Sequence, residues 1–192
     1  MAYTYAYPHP AVTTDVVVVR LRRGREGTEA EVLLIRRGGE PYKGMYALPG
    51  GFLNEDEDCE ECARRELREE TGIEAERLTE VGTWSSPKRD PRERVISVVY
   101  ATVVGDVEPR AGDDAAEATF VSLKTLPKLA FDHEEMVRDA LERLRSMMCR
   151  GERNPSIPRE DREKDGAATP ETAARGDGNS TCPIDGATAP RR

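Results

Sequence analysis

The sequence predicts an α/β fold, in which helices pack against a sheet of several strands. Runs rich in Val and Ile and two long segments of helix-forming residues follow one another along the first 150 residues. One run, residues 95–104, is apolar throughout, which is typical of a strand covered on both faces. Because 192 residues are enough for one domain of ordinary size, we expect a single domain over residues 1–150.

The first predicted elements form a β-hairpin. Residues 11–21 and 31–35 are apolar or alternating, and the sequence GREGT between them is typical of a turn. The next segment, residues 40–54, is rich in Pro and Gly, so we expect a loop with short extended pieces around the pair Gly50 and Gly51. Further strands are predicted at residues 77–84, 95–104 and 118–123.

Two helices are predicted. Residues 57–71 are good or neutral helix formers and are followed by Gly72, a typical C-terminal cap. Residues 132–148 have apolar side chains at helical spacing, so this helix should pack on the sheet. From residue 151 onward large apolar residues are rare and charges are roughly balanced, so we expect residues 151–192 to form a disordered polar tail.

Charge and hydropathy exclude several classes of function. The net charge is −8 and the longest basic cluster, residues 20–23, is short, so the chain should repel long nucleic acid. No apolar run approaches the roughly 20 residues that span a bilayer, and the first residues do not resemble a secretory signal. We therefore expect a cytoplasmic protein that acts on a small molecule and binds no membrane.

The four cysteines do not predict a metal or redox site. Cys59 and Cys62 form a lone C-x-x-C within the first predicted helix, and Cys149 and Cys182 lie far away without a second pair. A structural zinc site needs further ligands at comparable spacing, and a redox pair normally begins a helix. We interpret the pair as packing residues in a reducing compartment.

Three glutamates on the first predicted helix give the main chemical prediction. At 100° per residue, Glu66, Glu69 and Glu70 share one arc of the helix, and Glu66 and Glu70 lie one turn apart. Such like charges destabilise a helix by roughly a few tenths of a kcal/mol, and we expect no Lys or Arg on this face. A divalent cation would reverse the effect, because Mg²⁺ prefers oxygen ligands. An ordinary solvated acidic face is the alternative.

The residues around these glutamates resemble the signature of the Nudix hydrolase family. Gly51, five residues, Glu57, seven residues and then RELREETGI from Arg65 to Ile73 match all nine specified positions, and LPGG precedes them. The resemblance implies an α/β/α sandwich with a mixed sheet and a loop-helix-loop catalytic motif. It implies a catalytic set of Glu57, Arg65, Glu66, Glu69 and Glu70, in which Glu57 and Arg65 form an ion pair.

The resemblance also implies a metal-dependent hydrolysis of a nucleoside diphosphate linked to another group. Mg²⁺, or else Mn²⁺, would be held by Glu66 and Glu70, assisted by Glu69 and the carbonyl of Gly50 or Gly51. The metal neutralises pyrophosphate charge and activates a water. Family members are often dimers, so we expect a homodimer. The candidates for the general base are Glu69, which we place first, Asp113, Asp114 and Glu117.

Segments outside the box resemble the ADP-ribose pyrophosphatase branch of the family. Pro87 lies about fifteen residues beyond the box, where a proline accompanies ADP-ribose hydrolysis in that branch. Arg89 and Arg92 in the same loop either bind phosphate or ribose, or pair with neighbouring acids in solvent. The predicted substrate-binding residues are Arg36, Gly50, Gly51, Arg89 and Arg92. His133 contacts a sugar or packs locally, and Tyr42, Tyr46 and Trp84 stack an adenine or fill the core.

Two other functions are left open by the residues. The box sets the reaction and not the group beyond the phosphates, so a pyrophosphatase for 8-oxo-dGTP or another nucleoside triphosphate is one alternative. The other is a non-catalytic regulator that senses ADP-ribose through a similar domain joined to a DNA-binding segment. Intact box glutamates, and a segment 151–192 that is neither basic nor able to build a core, favour the enzyme.

Overall fold

The computed structural model describes residues 5–24, 27–111 and 115–149, so the expected polar tail lies outside the described residues. The helices are α1 (Cys59–Thr71) and α2 (His133–Cys149), and a 3₁₀ turn covers Leu123–Thr125. The strands are β1 (Ala11–Gly24), β2 (Gly27–Arg37), β3 (Tyr46–Ala47), β4 (Gly50–Phe52), β5 (Thr79–Trp84), β6 (Val95–Val104) and β7 (Ala115–Ser122). Neither helix is long and apolar enough to cross a membrane, within the described residues.

The strands form one mixed sheet. Its central order is β3-β2-β1-β6-β5, with β4 paired to β1 and β7 paired to β2. Only the β1–β6 pair is parallel among the described pairs, and the predicted hairpin is confirmed by the register from Val19↔Val32 to Gly24↔Gly27. On one edge β1 pairs with β2 beyond Val19 and with β4 at Thr13–Asp15. The sheet therefore divides at this point of β1.

Alternate side chains of β1 enter two separate cores. Val16 and Val18 pack in a cluster with Ala63 and Leu67 of α1. The neighbouring Val17 and Val19 pack in a second cluster on the opposite face, whose α2 members are Met136, Val137, Ala140, Leu141 and Leu144. Each buried Val contributes roughly 1.5–3 kcal/mol. The expected α/β/α sandwich is thereby confirmed, with one helix on each face of the sheet.

Helix α1 begins two residues later than predicted because Asp58 caps it. The Asp58 carboxylate accepts a hydrogen bond from the backbone of Glu61 at 2.9 Å, and the Glu61 carboxylate accepts one from the backbone of Asp58 at 2.9 Å. The helix ends at Gly72, which has φ 67°, a conformation that a residue without Cβ adopts most easily. Cys59 is consequently the first residue of the helix, whereas the sequence placed it two residues after the helix start.

We expect Asp58→Ala to lower the free energy of unfolding by about 1 kcal/mol, because the backbone N–H of Glu61 loses the carboxylate that caps it. Urea denaturation followed by circular dichroism measures the change. Asp56→Ala is the matched control, since Asp56 is an exposed acid just before the cap. Equal losses in the two variants would show that the cap does not stabilise the helix.

Candidate active site

Two glycines of β4 bring α1 against β1. A Cβ at Gly50 would overlap the Thr14 carbonyl oxygen of β1, and a Cβ at Gly51 would overlap the Glu66 carboxylate of α1. The backbone N–H of Gly50 donates to Glu70 Oε2 at 2.9 Å. Only residues without a side chain permit these approaches. The carboxylates of Glu66 and Glu70 therefore both lie against the same short piece of backbone.

Arg65 connects the glutamates to the loop before the helix. Its guanidinium donates to both oxygens of Glu57, at 2.9 and 2.6 Å, which is the ion pair expected from the sequence. It also donates to Glu66 at 2.7 Å, to Glu69 at 3.1 Å and to the Phe52 carbonyl at 3.2 Å. The expectation that no basic side chain meets the glutamates is thus wrong, because Arg65 lies one residue before Glu66 and one turn before Glu69.

The electrostatics differ sharply among these acids. Hydrogen bonds from Arg65 lower the pKa of Glu57 to about 2, so this carboxylate is charged and satisfied. Burial raises the pKa of Glu66, despite the contact with Arg65. Burial also raises the pKa of Glu70 to about 8, against the opposing hydrogen bond from Gly50 and with a further contribution from the charge of Glu66. Burial is therefore only partly compensated at Glu66, by Arg65, and no described Lys or Arg forms an ion pair with Glu70.

This donor set fits a hard divalent cation. Two half-buried carboxylates and a close backbone segment offer only oxygen ligands at the positions that need positive charge. Within the described residues, no three His, Cys, Asp or Glu side chains converge into a closed metal cage. Mg²⁺ usually binds one or two carboxylates and completes its shell with water and substrate phosphate, so an open site of this kind suits it. Glu69 lies at the rim, with 54% of its side chain exposed.

A polar pocket of about 140 Å³ adjoins these carboxylates on the α2 side of the sheet. Its described lining includes Gly50, Gly51, Asp15 and the arginines Arg37, Arg89 and Arg92. Arg89 is 4% exposed and donates twice to Asp132, at 3.0 and 2.7 Å. Arg92 donates twice to Asp90, at 3.0 and 2.7 Å, but stays 38% exposed. The first arginine positions the loop, and the second faces the pocket opening.

Arg37 is the least compensated cation of this pocket. Its Nε donates to the Pro41 carbonyl at 2.8 Å, and no described carboxylate lies within ion-pair distance of it. Burial lowers the pKa of Arg37, and the charge of Arg92 lowers it further. Its guanidinium lies 4.9 Å from the ring centre of Phe131, which has φ 53°, a conformation rare for a bulky residue. Two guanidinium groups therefore face one pocket and would gain from an anion between them.

The structure places several predicted residues elsewhere. Arg36 does not line this pocket, since its guanidinium donates to Glu117 at 3.3 Å, to the Tyr46 hydroxyl at 3.3 Å and to the Gly44 carbonyl at 3.2 Å. The pocket instead receives Arg37, the next residue on β2, which sequence reasoning did not select. Of the remaining candidate bases, Glu117 is exposed beside Arg36, and Asp113 and Asp114 lie outside the described residues.

Three of the aromatic and histidine candidates pack locally, whereas Tyr42 is 39% exposed and lies edge-on to Phe131 at 4.8 Å. Trp84 and Tyr46 contact the core on the α2 side of the sheet, and His133 is buried with Nδ1 accepting from the Leu48 N–H at 2.9 Å. Burial lowers the pKa of His133, so its ring is neutral. A larger cavity of about 500 Å³ lies beside Gly72 and Arg110. It is lined by none of the box glutamates, so we assign the chemistry to the smaller pocket.

Comparison with known proteins gives concordant results. A family model described as NUDIX domain matches residues 11–140. The ADP-ribose pyrophosphatase of Methanocaldococcus jannaschii is 46% identical over 133 residues, 69% of this chain and 74% of that protein. The ADPR responsive transcriptional repressor NtrR of Acinetobacter baylyi is 34% identical over 72% of this chain but only 56% of the repressor. The NUDIX domain of Shewanella oneidensis NrtR complexed with ADP ribose superposes with a TM-score of 0.66 at 28% identity, covering 72% of this chain and 91% of that one.

We expect Glu70→Gln to stabilise the metal-free protein at high pH, because Gln still accepts from Gly50 but brings no buried charge. A carboxyl group whose pKa is raised to about 8 by folding contributes stability that is complete below its unfolded pKa and is lost as the pH rises through 8. The gain in unfolding free energy above about pH 8.5 should be on the order of 1 kcal/mol, since partial solvation weakens the effect.

Thermal melting in the presence of a chelator, at about pH 5 and about pH 8.5, measures this difference. Glu74→Gln, at an exposed glutamate just after α1, is the control. If Glu70→Gln stabilised the protein equally at both pH values, Glu70 would not carry a charge that burial destabilises.

Proposed function

The chain belongs to the Nudix family, and from that premise we propose that it hydrolyses the pyrophosphate of ADP-ribose to AMP and ribose 5-phosphate. The main supporting observation is the juxtaposition of Glu66 and Glu70 with a pocket that contains two exposed or unpaired guanidinium groups. One side of this arrangement suits a cation and the other suits an anion. A substrate with a pyrophosphate centre meets both requirements.

The proposed cofactor is Mg²⁺, with Mn²⁺ as a substitute, since hydrolases of this family use divalent metals. Glu66 and Glu70 would hold it, with Glu69 and the carbonyl of Gly51 assisting. When bound, the metal offsets the charge of the pyrophosphate and acidifies a water molecule for attack on phosphorus. Arg65 keeps Glu66 in position by donating to it while its other nitrogen atoms are fixed by Glu57.

The remaining steps belong to side chains of this chain. Glu69 is the proposed general base, because its half-exposed carboxylate is next to Glu66 and Glu70 and can accept a proton from water at Oε1 or Oε2. Arg37 and Arg92 would bind the phosphate that departs with the ribose. Arg89 would mainly position the loop, because its Nε and Nη2 atoms donate to Asp132 and its side chain is only 4% exposed.

Two alternative functions share these observations. A nucleoside triphosphate pyrophosphatase would use the same carboxylates and would place phosphate near Arg37. An ADP-ribose-sensing regulator would bind the same ligand without turnover, as the name of the Acinetobacter relative suggests for that protein. The intact set from Glu57 to Glu70 favours catalysis. A homodimer and a cytoplasmic location stay predictions.

We expect incubation of the full chain with Mg²⁺ and ADP-ribose to yield AMP and ribose 5-phosphate in equal amounts, measured by chromatography. ADP-ribose should be preferred over 8-oxo-dGTP, NADH and diadenosine polyphosphates supplied in parallel. Glu66→Gln should reduce turnover by at least about a hundredfold while the melting temperature is retained. Preference for the triphosphate would overturn the proposed substrate, and tight binding of ADP-ribose without products would favour the regulator.

We expect Arg37→Gln to reduce kcat/KM for ADP-ribose by about tenfold to a hundredfold, the value of a charge-assisted hydrogen bond to phosphate. Arg36→Gln is the matched control, because it removes the same group from the adjacent residue of β2, whose side chain pairs with Glu117. Its kcat/KM should stay within about twofold of the original chain. The reverse ranking would show that the sequence prediction of Arg36 was correct.

A further inference from the structure

One carboxylate lies inside the cationic pocket. Phosphate binding by the pocket does not account for an acidic side chain at this position. Asp15 of β1 is 7% exposed and is the single acid among the described residues that line the pocket. A carboxylate repels phosphate, so its burial beside three arginines needs another explanation. Because a buried carboxylate is only an acceptor of hydrogen bonds, its natural ligand is a group with N–H or O–H donors.

Asp15 is held in a fixed orientation and keeps acceptor capacity. The Ser97 hydroxyl of β6 donates to its Oδ2. The other oxygen, Oδ1, lies 3.6 Å from Nε2 of His133, which is longer than a hydrogen bond. The Nδ1 atom of His133 accepts from Leu48, so the ring proton of this neutral histidine is on Nε2 and faces Asp15. A carboxylate accepts about four hydrogen bonds, so donors from a ligand can still be accommodated.

The aromatic rings of the pocket already contact cationic side chains. One ring, Phe131, is stacked with His133 at 5.3 Å and has the guanidinium of Arg37 at 4.9 Å. The other ring, Phe52, has Arg92 over it at 5.2 Å. An adenine could stack on Phe131 only by displacing His133 or Arg37, whereas Phe52 stays 42% exposed beside Arg92. A sugar needs no aromatic face and brings several hydroxyl donors.

We propose that this pocket binds the ribose 5-phosphate half of the substrate, with Asp15 accepting from ribose hydroxyl groups and Arg37 and Arg92 binding the attached phosphate. This inference rests on the proposed function and adds which half of the substrate the pocket selects. The pocket combines an acceptor, Asp15, with the cationic groups of Arg37 and Arg92, which are the two kinds of partner that a sugar phosphate requires. Asp15 is then a specificity-determining residue. It favours the terminal ribose of ADP-ribose, whose hydroxyl groups donate to it, over the terminal phosphate of a nucleoside triphosphate, which it repels.

Direct binding of two probes tests this assignment. By calorimetry on the full chain in Mg²⁺ buffer, ribose 5-phosphate should bind at least about tenfold more tightly than inorganic phosphate. Asp15→Asn should weaken ribose 5-phosphate by about tenfold or more and leave inorganic phosphate unchanged or tighter, because a nearby negative charge is removed. Asp139→Asn, at an exposed acid of α2, is the control and should change neither affinity.

Kinetics give the second measurement. Asp15→Asn should raise KM for ADP-ribose by about tenfold and leave the turnover of 8-oxo-dGTP, the expected poorer substrate, within about twofold. Equal affinities of ribose 5-phosphate and phosphate for the original chain would overturn the inference, even if Asp15→Asn failed to fold. Parallel losses for both probes in a folded variant would also overturn it. The absence of ADP-ribose turnover would instead refute the proposed function, since the probe affinities do not depend on catalysis.

Discussion

The backbone contact between β1 and β4 at Gly50 is the constraint on which the site depends. It places the end of β4 within hydrogen-bonding distance of α1, so that Glu70 accepts from Gly50 while Glu66 occupies the space beside Gly51. A side chain at Gly50 would force β4 away from the backbone of β1, and a side chain at Gly51 would displace the Glu66 carboxylate. The contact occurs where β1 changes partner from β2 to β4. This change of partner both ends the β1–β2 pairing and brings β4, with its two glycines, next to the carboxylates of α1.

The opposed charges of the site follow from the two faces of β1. Thr14, with its side chain towards α1, hydrogen-bonds to Cys62 and belongs to the acidic side. Asp15, one residue later, faces α2 and reaches His133 and the arginine pocket. A strand alternates its side chains with period two, so adjacent residues serve different layers. The cation-binding and anion-binding regions are thereby adjacent, and Asp15 is the acid of β1 that lies on the arginine side.

The sequence predicted the elements well where periodicity and capping residues were clear. The hairpin, α1 up to Gly72, α2 and the fully covered strand β6 all follow from local pattern. Local pattern could not decide between Arg36 and Arg37. Adjacent side chains of a strand face opposite sides of the sheet, but the sequence does not show which side holds the pocket. Asp15 was missed for a similar reason, since a single acid in a Val-rich strand has no local partner and meets His133 only through the tertiary fold.

The loop between β5 and β6 shows how one segment divides support from recognition. Arg89 and Arg92 are three residues apart, and each donates two hydrogen bonds to one aspartate. The partner of Arg89 is Asp132 at the start of α2, so this pair ties the loop to another layer. The partner of Arg92 is Asp90 in the same loop, so the pair orients the guanidinium without anchoring it elsewhere. Because Arg92 keeps 38% of its side chain exposed and Arg89 keeps 4%, only Arg92 can approach an incoming anion.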